Sequence, residues 1–152
     1  MKRTIRKWII RITATGLLIG GLLIGLVLNP TLLYANKTVI ENYTVYHDSV
    51  VDSNFVNQLK SVTMLLKGSE LYDSTFKLDI CLNDGSIYPT LTERVRGQAF
   101  AWGFYNKVVL QGNVNYQDNY VELNGYRWSL EQLITHEAIH CYQFRKIEFT
   151  CH

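Results

Sequence analysis

The chain has 152 residues, with 15 Lys and Arg against 13 Asp and Glu, which leaves room for one domain of modest core beside an N-terminal leader and none for a second domain. Lys2, Arg3, Arg6, Lys7 and Arg11 crowd the start, and every acidic residue lies after position 36, so residues 37–152 carry a balance of −3. A nucleic-acid partner is excluded on that ground, because such a partner needs a basic face on the folded part.

Residues 12–30 are uncharged and rich in Leu, Ile, Val and Gly, a run long enough to cross a hydrocarbon core of roughly 30 Å at about 1.5 Å per residue. Residues 1–36 therefore read as a basic cytoplasmic tail followed by a single-pass anchor in the lipid bilayer. The basic residues before the span place the following domain on the extracytoplasmic side. The alternative is a signal peptide cleaved after Ala35, which would release a secreted protein; bulky Leu33 at the third position back fits that poorly. Gly16, Gly20, Gly21 and Gly25 show small-xxx-small spacing, which a plain anchor also carries.

Residues 37–152 form the folded part, and their order of elements predicts an α+β domain with a few-stranded sheet. Lys37 to Tyr46 alternates apolar and polar residues and reads as one half-buried strand offering Val39, Tyr43 and Val45 to one face. Asp52 to Lys67 predicts an amphipathic helix: Phe55, Leu59, Val62 and Leu66 recur at helical spacing, Asp52 caps the start and Gly68 follows the end. Phe76 to Leu82 reads as a strand, Asn83-Asp84-Gly85 as a turn, and a short helix follows Pro89. Ala99 to Leu110 is aromatic and β-branched and predicts two strands reversing at Gly103-Phe104-Tyr105-Asn106. Gln111 to Asn119 reads as loop, and Tyr120 to Leu123 as one more strand before Asn124-Gly125.

Ser129 stands three residues before Gln132, a capping box that opens a helix with Leu130, Leu133 and Ile134 on its apolar face and an expected end near Phe144. His136 and His140 lie four residues apart on this helix, so their imidazoles share one side and can grip one ion. This is the HExxH spacing. Neutral imidazole is a good zinc ligand, and Glu137 between the two is placed to act as general base toward a metal-activated water.

Thr135-His136-Glu137-Ala138-Ile139-His140 resembles the active-site helix of the zincin metallopeptidases. The runs Ala99 to Leu110 and Asn119 to Trp128 resemble segments of bacterial membrane-anchored proteins of that type, so the likeness covers about residues 40–150. It implies a zincin-like fold, Zn2+ as cofactor, His136 and His140 as metal ligands, catalytic Glu137 and a peptide or protein substrate. It also implies that Lys107 to Leu110 is the edge strand along which an extended substrate lies. The sequence departs from the family where a third ligand is due. Gln143 and Lys146 occupy the metzincin positions, and the chain ends twelve residues after His140, before a second helix could offer a glutamate. Glu148, Cys151 and His152 are the remaining candidates for that ligand; a shortened form of a longer protein is the other expectation. Without the third ligand the domain reads as a catalytically silent, membrane-tethered interaction module.

Cys81, Cys141 and Cys151 are too few for a disulfide framework; Cys151 can pair with either of the others, and Cys81 and Cys141 read as small buried residues. His47 and Asp48 read as a surface hydrogen-bonding pair rather than ligands, and Asn83, Asp84 and Glu93 lack the alternation of a calcium loop. Asn36-Lys37-Thr38 and Asn42-Tyr43-Thr44 fit the glycosylation pattern.

Overall fold

The structure, a computed structural model, describes the backbone of residues 2–150 and the side chains of residues 5–147. Helix α1, Lys2–Leu28, contains the uncharged run, and within it Ile5–Leu28 is long and apolar enough to cross a membrane or to serve as a signal sequence. Its side chains from Ile5 to Leu28 stand mostly clear of the rest of the protein. A single 3-10 turn, Pro30–Leu32, then leads into the folded part.

That part is α+β, built on two sheets. The larger is mixed and has the order β1-β2-β3-β5-β4, with β1 Asn36–Ile40, β2 Tyr43–His47, β3 Leu78–Cys81, β4 Ala101–Phe104 and β5 Lys107–Leu110. β1 with β2 and β4 with β5 are antiparallel hairpins, joined into one sheet by parallel pairing of β2 with β3 and β3 with β5. The smaller sheet is an antiparallel meander of β6 Asn113–Asn115, β7 Tyr120–Leu123 and β8 Tyr126–Ser129.

Helix α2, Ser53–Lys67, begins where the sequence places it: the Asp52 carboxylate accepts the Asn54 amide at 2.7 Å, satisfying one of the donors a helix start leaves open. Its predicted stripe, Phe55, Leu59, Val62 and Leu66, is wholly buried. Gly68 ends it with an ordinary right-handed conformation rather than a left-handed cap. Helix α3, Tyr88–Arg96, carries Pro89 in its first turn, where a missing amide hydrogen costs nothing. Helix α4, Leu130–Thr150, is longer than the sequence suggested.

α2 and α4 cover one face of the large sheet. Their core joins Val45, Leu78, Ile80, Val108 and Leu110 of the sheet to Leu133, Ile134 and Ala138 of α4. The opposite face holds a second cluster, Tyr34, Tyr46, Cys81, Tyr88, Phe104 and Val109, against which Val27 and Leu33 pack. The end of the apolar N-terminal helix is therefore part of the domain's own packing.

Asn83-Asp84-Gly85 turns the chain as expected, from β3 toward α3, with the Asp84 carboxylate accepting the Asp48 and Ser49 amides at 2.9 Å. Three expectations change. Lys37 to Tyr46 is not one strand but a hairpin reversing at Glu41-Asn42, with Glu41 at φ 53°. The reversal leaves Val39 exposed on β1 while Tyr43 and Val45 are buried; Asn42 is held by its side-chain amide donating to Ser74 O, a partner far along the chain. The expected loop from Gln111 contains β6, and Tyr126–Ser129 adds β8. Lys107–Leu110 is interior, flanked by β3 and β4 and wholly buried, so the free edge on that side belongs to β4.

Candidate metal centre

The start of α4 is fixed by two residues. Ser129 Oγ accepts the Gln132 amide at 3.4 Å, as the capping pattern predicted. Asn119, in a left-handed conformation at φ 54°, adds what the sequence hid: its carbonyl accepts the Leu130 amide and its side-chain oxygen accepts the Glu131 amide. Leu130, Leu133, Ile134, Ala138, Cys141 and Tyr142 then face the core, which turns His136 and His140 outward.

The two imidazoles meet. Their Nε2 atoms are 3.2 Å apart and their rings are perpendicular, with centroids 4.8 Å apart. Two nitrogens bound to one tetrahedral zinc at roughly 2.0 to 2.1 Å would lie about 3.3 Å from each other. His140 Nδ1 is 3.1 Å from Gln143 Oε1, an acceptor that suits the tautomer with the hydrogen on Nδ1 and the lone pair on Nε2. His136 rests against Trp128 of β8, centroids 6.0 Å apart, and Trp128 meets Phe100 edge-on at 6.0 Å.

Glu137 points the other way, toward β4, and is almost wholly buried. Its Oε2 accepts the Gly103 amide at 2.6 Å. Burial raises its carboxyl above the usual glutamate range, opposed first by the Gly103 hydrogen bond and then by the electrostatic influence of His136, His140 and Arg96. Gly103 is required at this approach: a Cβ there would stand 3.0 Å from both the carbonyl carbon and Oε2 of Glu137, and closer still to its carbonyl oxygen. In the antiparallel ladder with β5, Trp102 pairs with Val109 while the amides of Gly103 and, two residues back, Ala101 face the open edge. The carboxylate thus sits on the free edge of the sheet.

These groups line an open cleft of about 450 Å³, bounded by Arg96, Ala101, Gly103, His136, Glu137 and His140, with Phe144 and Ile147 along one wall. The Arg96 guanidinium is stacked 4.7 Å over Trp102 and 5.3 Å from the centre of Phe104. The Trp102 indole in turn donates to Gly97 O at 3.0 Å.

No family model, curated protein or solved structure matches the chain. The chemistry of the cleft therefore stands on its own residues.

The predicted trio of His136, Glu137 and His140 is brought to one cleft. Cys151 and His152 lie outside the described residues, and Glu148 lies outside the described side chains. Among the described residues no set of three His, Cys, Asp or Glu is gathered that could hold a metal ion. His47 and Asp48 do not pair: His47 bonds Thr38 Oγ1 and Ser49 O, and Asp48 accepts the Ala35 amide. Cys81 and Cys141 are buried free thiols. Arg96, Trp128 and Phe144 carried no sequence signal as site residues; only the tertiary arrangement gathers them.

Proposed function

We propose that the protein is a membrane-anchored, zinc-dependent hydrolase of peptide bonds, zincin-like in its HExxH helix, with His136 and His140 holding the metal and Glu137 as the base. The observation that carries this reading is the 3.2 Å separation of the two Nε2 atoms, close to what a shared tetrahedral ion requires. Zinc bound there would supply Lewis acidity, polarising a substrate carbonyl and acidifying a water.

The remaining roles fall to the chain's own groups. Glu137 takes a proton from the attacking water and passes it to the leaving amine, a task suited by a carboxyl whose proton affinity burial has raised. Gly103 fixes that carboxylate through its amide. The outward amide and carbonyl of Ala101 and the carbonyl of Gly103 suit an extended peptide added as a further antiparallel strand beside β4. Phe144 and Ile147 offer an apolar wall, and Arg96 favours an acidic group at the mouth. Glu148, Cys151 and His152 are the candidates for the third ligand.

The N-terminal helix serves as the anchor, with the basic tail in the cytoplasm and the domain outside. Retention of the helix, rather than cleavage after Ala35, is supported by its join to the domain: Tyr34 is buried, its hydroxyl donates to Leu82 O at 2.7 Å, and Tyr88 donates to Val27 O at 2.5 Å.

The second reading, a catalytically silent interaction domain, is favoured by the two-histidine donor set among the described residues. Zinc analysis of the purified full chain separates the two. Near-stoichiometric zinc that disappears in His140→Ala, with peptide hydrolysis lost by roughly a hundredfold or more in Glu137→Gln while zinc stays bound, supports the hydrolase. A metal-free protein that folds normally establishes the silent domain instead.

A further inference from the structure

The junction between α1 and the domain is hydrogen-bonded on both sides of the 3-10 turn. Tyr88, the first residue of α3, donates its hydroxyl to Val27 O at 2.5 Å, one residue before the span ends, and Ser86 Oγ donates to Leu33 O at 2.7 Å. Ile87 lies between these two anchored residues and is nevertheless 66% exposed. Leu32, at the end of the 3-10 turn, is 70% exposed and forms a shallow apolar groove with Leu18, Leu22 and Leu26 of α1.

The pattern continues along α3. Tyr88 and Thr92 are buried against the sheet, while Ile87 just before the helix, half-buried Leu91 and exposed Arg94 lie to one flank of that face, and Val95, in the last turn, is 63% exposed. Apolar residues interrupted by arginine make a surface that water serves poorly and a headgroup layer serves well, aliphatic groups sinking below the phosphates and guanidinium remaining among them. Elsewhere the folded part has an excess of acid, so this basic and apolar collar differs from the rest of its surface.

We propose that this collar, Leu32 and Ile87 with Arg94 and Val95 of α3, is seated in the headgroup region of the bilayer around α1, so that the domain rests on the membrane instead of swinging from it. The proposal depends on α1 spanning the bilayer and is independent of the metal site. The hydrogen bonds to Val27 and Leu33 hold Ile87 at the level where the span leaves the hydrocarbon. Any bilayer that contains α1 must therefore meet Ile87 and Leu32 at its surface.

Depth-dependent quenching tests this in the full chain. Single cysteines at Leu22, Leu32, Ile87, Val95 and Tyr126, made in a Cys151→Ser background, are labelled with an environment-sensitive fluorophore and reconstituted into vesicles of zwitterionic and anionic phospholipid carrying a lipid-attached quencher. Cys81 and Cys141 are buried and stay unlabelled in the folded protein. Tyr126 lies beside the β7–β8 turn and is 74% exposed. The expected result is strong quenching at 22, intermediate quenching at 32, 87 and 95, and little at 126. If 22 is quenched while 32 and 87 behave like 126, the seat does not exist although the span does. If 22 itself is unquenched, the membrane reading of α1 has failed.

Discussion

Replacing Gly103 by alanine should damage stability and site together. The new methyl would lie 3.0 Å from the Glu137 carbonyl carbon and from Oε2, and nearer to the carbonyl oxygen. Two of these atoms are backbone of α4 and cannot rotate aside, so β4 or α4 must move by several tenths of an ångström. Overpacking of this kind costs about 1 to 3 kcal/mol. The shift also stretches the 2.6 Å bond from the Gly103 amide to the buried carboxylate, and bonds to charged groups contribute about 1.5 to 3 kcal/mol. Some of each is recovered by relaxation, leaving a net loss of about 3 to 4 kcal/mol. For a domain of this size that lowers Tm by roughly 12 to 16 °C, at about 4 °C per kcal/mol. Thermal unfolding of the full chain in detergent, followed by circular dichroism, measures it. Gly68→Ala is the comparison, because Gly68 has a negative φ and its nearest obstacle is 3.3 Å away; it should change stability by less than about 1 kcal/mol. A loss in Gly103→Ala no larger than that of Gly68→Ala would refute the close approach of β4 to α4 and, with it, the placement of Glu137.

Gln143→Ala removes the acceptor that orients His140 and should weaken zinc binding by about 10 to 100-fold in a competition titration with a chelator, while leaving Tm of the metal-free protein nearly unchanged. Lys107→Met breaks the largely buried pair with Asp79, 3.3 Å apart, and should cost about 3 kcal/mol at neutral pH in a denaturant titration. Burial already raises the Asp79 carboxyl and Lys107 opposes that rise, so the variant raises it further. A raised carboxyl favours the folded state most when protonated, so the deficit should shrink as pH falls through the Asp79 pKa and grow as it rises; a deficit independent of pH would remove Asp79 from the account. Burial pushes the Cys141 thiol up to about 12 and that of Cys81 well above its usual range, so neither should react with iodoacetamide at neutral pH until the protein is unfolded, as mass spectrometry would record.

Much of the local structure is legible in the residues because its causes are local. α2 follows from Asp52 and the stripe Phe55, Leu59, Val62, Leu66, and the start of α4 from Ser129 and Gln132. The β4–β5 hairpin follows from its aromatic and β-branched run, and the meeting of His136 with His140 from helical spacing alone. The misses have nonlocal causes. The Glu41-Asn42 reversal lacks a glycine and is stabilised by Ser74, and β8 is exposed along most of its length, so it shows no alternation. β5 is interior because β3 runs parallel to it from a segment 28 residues earlier, a pairing no pattern within Lys107–Leu110 announces. The approach of Gly103 to Glu137, which sets the carboxylate's position, joins residues 34 apart in sequence.

With α1 in a bilayer, as proposed, its hydrogen-bonded join to the domain would tie the posture of the cleft to the thickness of the membrane. Ile5–Leu28 has 24 residues, about 36 Å of helix, against a hydrocarbon layer of roughly 30 Å. A helix longer than its bilayer leans, and with Val27 bonded to Tyr88 the domain would lean with it. Thin bilayers would then tip the β4 edge further than thick ones, making lipid composition a control on what the cleft faces.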